Sequence, residues 1–254
     1  MTKPTTLTMG KAMLIKFAAA LTLGLALLAP LHASEGGSLQ AANVSLNDTA
    51  ALQRGAKLYF NYCSGCHSLR YVRYSRIAED LQIDPKDVEA NLIFTGAKIG
   101  DLALSSMSAE DGTKWFGKAP PDLSLEGRSK GADWIYSYLK SFYLDPTRPL
   151  GWNNTVFENA SMPNVLWELQ GLQSPVRKGG KADGPIEHLD LTTPGRQSAA
   201  EFDRSVRDIT AFLQYVGEPA ALKRESMGVW VLLYLAVFTL LAYLLKREFW
   251  KDVH

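Results

Sequence analysis

Cysteine is almost missing from this chain: Cys63 and Cys66 are the only two among 254 residues. That excludes a disulfide framework and a four-cysteine zinc site, and leaves only His32, His67, His188 and His254 to complete a mixed one. An excess of charge of one sign is missing too. Lysine and arginine number 27 against 26 aspartates and glutamates, and a formal net charge of +1 lacks the basic balance of a nucleic-acid-binding chain. No alternation of apolar and polar residues is long enough to demand a large sheet. Charge of either sign is absent from Ser226 to Leu245.

What is present gives those scarcities a meaning. The two cysteines stand three positions apart in Cys63-Ser64-Gly65-Cys66-His67, the attachment pattern of c-type haem. Each thiol can add to a vinyl group of the porphyrin, and the adjacent imidazole can ligate the iron. A redox disulfide of the thioredoxin kind would follow a strand, whereas Leu52, Ala56 and Tyr59 precede Cys63 at helical spacing, with Asn47 or Asp48 as candidate cap. One covalent haem would use both thiols and leave no disulfide.

Lys3, Lys11 and Lys16 precede an apolar run from Phe17 to Ala29, and Leu31-His32-Ala33 offers a cleavage site before Ser34. Residues 1–33 therefore read as a secretory signal peptide, too short for a comfortable membrane span, with an uncleaved anchor as the alternative. Residues 226–245 read as a transmembrane helix of about 30 Å, with Trp230 and Trp250 near its ends. Export at one end and one later span put residues 34–225 outside and the tail, residues 246–254, in the cytoplasm. Removing a signal segment of +3 and a C-terminal segment of +1 from the total of +1 leaves the outside domain at −3. A weakly acidic surface of that kind suits a basic protein partner.

The outside domain spans about 190 residues, enough for one core. Its patterns are mainly helical. Asp84-Pro85 opens one helix through Val88 and Leu92; Trp134, Ile135, Tyr138, Leu139 and Phe142 form a second stripe; Phe202, Val206, Ile209, Leu213 and Val216 form a third, ended by Gly217 and Pro219. Residues 96–123, 145–155 and 171–195 read as long loops, which a wrapped cofactor would organise.

His67 needs a partner across the iron. Methionine or histidine there gives a closed electron carrier, and an open position gives small-molecule chemistry. Outside the leader, the span and the tail that His254 ends, the candidates are Met107, Met162 and His188. Met162 is favoured because Pro163 holds its backbone extended, in a loop flanked by Trp152, Phe157 and Trp167. Met107 and His188 stay open as alternatives.

Together, Cys63 to Arg73 (CSGCHSLRYVR), Pro120 to Ser124 (PPDLS), the helix from Asp133 to Tyr143, Met162-Pro163 and a C-terminal span with a basic end resemble the cytochrome c1 family, haem subunits of the cytochrome bc1 complex. The resemblance covers nearly the whole chain. It implies a mainly α haem domain related to the class I cytochrome c fold, with long loops and one C-terminal transmembrane helix. It implies one haem c per chain, thioether bonds at Cys63 and Cys66, axial ligands His67 and Met162, and Pro121 against the haem. A basic residue after PPDLS pairs with a haem propionate in the family; here the candidates are Arg128 and Lys130, the latter at the aligned position. The implied partners are cytochrome b, the Rieske iron-sulfur protein and a soluble or membrane-bound cytochrome c acceptor, within a dimeric complex. The implied place is the bacterial inner membrane, haem domain in the periplasm and C-terminus in the cytoplasm. A haem subunit of another membrane oxidoreductase, or a haem sensor or peroxidase with an open site, are the competing functions.

Overall fold

Two long helices cross at the centre of the globular part of the chain, and sequence explains both. In the computed structural model, which describes residues 39–180 and 184–252, α1 spans Thr49–Tyr62. Asp48 caps it by accepting from the Ala51 N–H at 3.0 Å, and its inner face carries Leu52, Gly55, Ala56, Tyr59 and Phe60. The other helix, Ala199–Gly217, starts at a capping box in which Ser198 and Glu201 satisfy each other's backbone N–H groups; it is α8 in chain order. Gly55 brings the two backbones together, since a Cβ there would stand 2.0 Å from the Asp208 carbonyl oxygen. Arg54 then grips the Asp208 carboxylate with two bonds of 2.7 and 3.0 Å. Tyr59, Phe60, Phe212, Tyr215 and Tyr74 pack edge to tilted face in the core beneath.

Shorter elements wrap this pair. After α1 come β1 (Leu69–Arg73), α2 (Tyr74–Asp80), α3 (Pro85–Asn91), β2 (Leu102–Ala103), α4 (Ala109–Phe116), α5 (Glu126–Ser129) and α6 (Ala132–Lys140). Then follow β3 (Phe142–Leu144), β4 (Trp152–Asn154), α7 (Trp167–Gln170), β5 (Gly171–Arg177) and β6 (Ile186–Pro194), before α8. Asp84 caps α3 with proline at its first turn, and Ser108 caps α4, which Gly117 ends in the left-handed region. Among the described residues the strands pair only two by two, all antiparallel.

The three stretches expected to be loops contain regular structure. Residues 96–123 hold β2 and α4, residues 145–155 hold β4, and residues 171–195 hold β5 and β6, which pair from Gly171 opposite Pro194 to Arg177 opposite Ile186. The pair lacks an alternating signature for a physical reason. Most of β6 faces solvent and β5 is half-buried along its length, so neither strand has one clean apolar face. The apolar stripe expected to end at Phe142 also divides: α6 stops at Lys140 and Phe142 belongs to β3.

The last element, α9, runs unbroken from Ala221 to Phe249. Its segment Met227–Phe249 is long and apolar enough to cross a membrane, with none of that window buried against protein. A core helix of the same composition would be covered, so the exposure argues for lipid as its surroundings. The expected leader, residues 1–33, lies outside the described residues.

Candidate functional site

The wall carrying the cysteines is an extension of α1. Cys63 caps the helix, donating its N–H to the Tyr59 carbonyl at 2.8 Å, and the chain then turns so that the N–H groups of Cys66 and His67 both reach the Cys63 carbonyl, at 3.0 and 2.9 Å. Cys63, Cys66 and His67 thereby line one apolar hollow. Burial, with a smaller contribution from Cys66, pushes the Cys63 thiol up to about 12, and burial raises Cys66 as well. Neither ionises at neutral pH in the free-thiol chain.

The hydrogen bonding of His67 fixes what its ring can do. The buried Tyr59 hydroxyl donates to the His67 carbonyl at 2.7 Å, which anchors the backbone. The ring Nδ1 lies 2.7 Å from the Pro121 carbonyl oxygen. A carbonyl oxygen can only accept, so Nδ1 carries the proton and Nε2 keeps its lone pair. Burial holds the imidazole below its ordinary value against the opposing pull of that hydrogen bond. The ring is therefore neutral at physiological pH, with one nitrogen ready to ligate a metal.

Pro121 is presented by a short bracket. The Asp122 carboxylate accepts from the Arg70 N–H and the Ser124 N–H, both at 2.9 Å; the buried Ser124 hydroxyl accepts from the Tyr71 N–H at 3.2 Å; and the Leu123 N–H donates to the Ser68 carbonyl at 2.9 Å. The PPDLS segment thus lies alongside residues 68–71 like an added strand, and its register aims the Pro121 carbonyl at His67. Sequence reading singled out Pro121 but missed Tyr59, Asp122 and Ser124. Their signal was available in part, as an Asp and a Ser beside two prolines favour local backbone bonding.

Met162 lines two adjoining hollows, both open to solvent, which share Cys63, His67, Lys118, Pro121, Ser161 and Met162 as walls. The larger continues between α6 and α8, lined there by Trp134, Ile135, Tyr138, Leu139, Ile209 and Leu213. The other candidates for the same role stand elsewhere. Met107 packs beside Gly112, and His188 lies on the exposed face of β6, 3.2 Å from Asp190. Of the aromatics flanking Met162 in sequence, Phe157 lines the larger hollow, whereas Trp152 and Trp167 line neither.

The two basic candidates also part. Lys130 lines the larger hollow, its ammonium 5.3 Å from the Trp134 ring centre. Arg128 lines neither hollow and stands 3.7 Å from Glu218. Lys118, unremarked in the sequence, lines both hollows, its ammonium 5.9 Å from the Phe157 ring centre.

An apolar cleft lined by two thiols, an imidazole nitrogen free to accept and a thioether, with two ammonium groups on its walls, suits a flat apolar macrocycle that bears carboxylates. A helical domain of this kind followed by one exposed apolar helix is a membrane-anchored c-type cytochrome. The Cytochrome C1 family profile matches residues 41–253. Cytochrome c1 of Allochromatium vinosum is 53% identical over 234 residues, covering 90% of this chain and 96% of that protein. The ammonia monooxygenase gamma subunit of Nitrosomonas europaea is 42% identical over 231 residues, 90% of this chain and 95% of that protein. Cytochrome c1 of Rhodospirillum rubrum is 28% identical over 234 residues, 81% and 83% of the two chains. The chain belongs to the cytochrome c1 family, haem subunits of the bc1 complex that carry covalent haem c.

Proposed function

We propose that this protein moves single electrons from the Rieske iron-sulfur protein to a soluble or membrane-bound cytochrome c, within a dimeric complex built on cytochrome b. In this reading Cys63 and Cys66 hold the haem by thioether bonds, and His67 and Met162 fill the two axial positions. Pro121 packs against the haem, and Lys130 faces a propionate. The observation that carries it is the hydrogen bond from His67 Nδ1 to the Pro121 carbonyl, because it leaves the other ring nitrogen available for ligation in a cleft that Met162 also lines. When bound, the haem supplies a ferric-ferrous couple.

The chain's own residues do the rest. Tyr59 and the Asp122 bracket fix His67, so the imidazole need not reorganise when the charge changes. The apolar walls limit water, which favours the less charged reduced state and, with methionine ligation, a higher potential. Lys118 and Lys130 offer positive charge to the propionates; Arg128, turned to Glu218, would need to move to share in this. With both axial positions taken by side chains, no site is left for oxygen or substrate.

In the same reading the protein sits in the bacterial inner membrane, with a leader over residues 1–33, a periplasmic haem domain over 34–225, a span over 226–245 and a cytoplasmic tail over 246–254. The unbroken apolar helix through this span supports the anchor.

Met162→Leu tests the centre. The expected result is loss of the far-red ferric sulfur-to-iron absorption, a sharply lower midpoint potential and carbon monoxide binding to the reduced protein. An unchanged midpoint with the absorption retained would remove Met162 from the iron. Purification in mild detergent should bring down cytochrome b and the Rieske protein, and their absence would refute the assembly.

A further inference from the structure

The segment that presents Met162, residues 155–163, contains only turns and bends, yet it must hold a thioether in place. Regular backbone ladders do not do this. Three buried asparagines and a buried glutamine do. Before the segment, the Asn154 side chain accepts from the Val156 and Phe157 N–H groups at 2.8 and 3.0 Å and donates to the Tyr138 carbonyl at 2.8 Å. Asn153 accepts from the Asn159 N–H at 2.8 Å, which supports Asn159 in its left-handed conformation at φ 62°. After the segment, Asn164 accepts from the Leu166 N–H at 3.0 Å and donates to the Gln170 side-chain oxygen at 2.8 Å; Gln170 in turn donates to the Lys140 carbonyl at 3.0 Å.

Both ends of the segment therefore finish on the same structure, the last turn of α6. The carbonyls of this last turn accept side-chain amides from either end of the methionine segment, Asn154 on Tyr138 beside the Ser141 N–H and Gln170 on Lys140 beside the Gln173 amide. The same helix lines the cleft with Trp134 and Tyr138. Asn154 and Asn164 are 0% and 2% exposed, so water cannot replace a lost partner cheaply.

We propose that Asn164 and Gln170, with Asn153 and Asn154, are positioning residues that register the Met162 sulfur against the cysteine wall by tying its segment to the end of α6. This rests on Met162 being the axial ligand. An amide relay is well suited to such positioning, because each link joins a donor and an acceptor of fixed direction and so holds the segment against sliding as well as lifting. Removing Asn164 leaves the Leu166 N–H and the Gln170 side-chain oxygen without these partners close to the sulfur in sequence, and the segment can relax toward solvent.

The test uses the haem-loaded, membrane-embedded protein with Asn164→Leu, Gln170→Met and Met162→Leu in parallel, and Val206→Ala as a core control away from the cleft. The readouts are the far-red ferric absorption, the midpoint potential, carbon monoxide binding by the reduced form and thermal unfolding. Asn164→Leu is expected to lose most of that absorption, lower the midpoint and admit carbon monoxide, with Gln170→Met changing in the same direction by less and Val206→Ala lowering only the unfolding temperature. If Asn164→Leu fails to accumulate with haem, Gln170→Met decides. Parent-like absorption and no carbon monoxide binding in the amide variants, with Met162→Leu losing the absorption, would overturn the positioning role and leave the ligand standing. Retained absorption in Met162→Leu would overturn the ligand itself.

Discussion

The wall that carries Cys63, Cys66 and His67 is made from chain neighbours, whereas the wall that carries Met162 is assembled from distant ones. On the first side, one helix runs directly into the motif, and successive N–H groups fold it onto the Cys63 carbonyl. Covalent chemistry then needs little from the rest of the protein beyond the Pro121 carbonyl. On the second side, an irregular segment is suspended by side-chain amides from a helix some fifteen to thirty residues away in sequence. A site can thus be local and rigid on one face and tertiary and tunable on the other. In the proposed ligation, attachment at the cysteines is unconditional while Met162, as distal ligand, sets the potential.

The contrast can be broken most forcefully where α1 meets α8. Gly55→Val would drive a side chain into the Asp208 carbonyl and push α1, which carries the cysteine wall, away from α8, at a cost of about 3 kcal/mol or more in denaturant unfolding. Gly65→Ala, inside the haem motif with nothing within 4 Å of the new methyl, should be nearly neutral by the same measurement. Equal effects would show that the wall does not depend on the α1–α8 contact.

A smaller change sharpens the contrast. Tyr59→Phe removes one hydroxyl that donates to the His67 carbonyl in the core, and should cost about 1–2 kcal/mol in unfolding while the distal ligand's spectrum is kept. Loss of that spectrum would mean that the two walls are not independent.

The smallest effect is a pH dependence confined to the Met162 side. Asp145 accepts from the Thr147 hydroxyl and the Asn153 amide, with Arg148 nearby, and these hold its carboxyl below the ordinary 3.8 although burial works the other way. The unfolded chain then binds this proton more readily. The stability contributed is complete above 3.8 and is lost as pH falls through the lower folded-state value. Acid should loosen Asn153 and its segment, and Asp145→Asn should flatten the acid limb of the stability curve. An unaltered acid limb would remove Asp145 from the distal support.

How legible each wall was follows from the same division. CSGCH, the cap at Asp48 or Asn47, the α1 stripe and PPDLS are short-range signals, so their chemistry can be read from adjacent letters. The structure chose Asp48 as the cap. The strand pair within residues 171–195 was not legible, because strand pairing with little burial leaves no period in the sequence. Nor were the amide relay or Lys118. Asparagine and glutamine carry the same letter whether they face water or bridge two buried carbonyls, and only their partners tell the two apart.

By itself, then, the sequence determined the attachment motif, the apolar C-terminal helix, the helical core and a short inventory of candidate ligands, because covalent chemistry, lipid thickness and helical periodicity all act over a few residues to a few turns. Only the tertiary structure decided which candidates share a cleft. Met162, Lys130 and Lys118 came to line it with the cysteine wall while Met107, His188 and Arg128 did not. It also committed the His67 ring to one tautomer, since a carbonyl more than fifty residues along the chain accepts the hydrogen bond from its Nδ1–H. Those outcomes depend on contacts between segments far apart in the chain, and such contacts exist only once the core has closed.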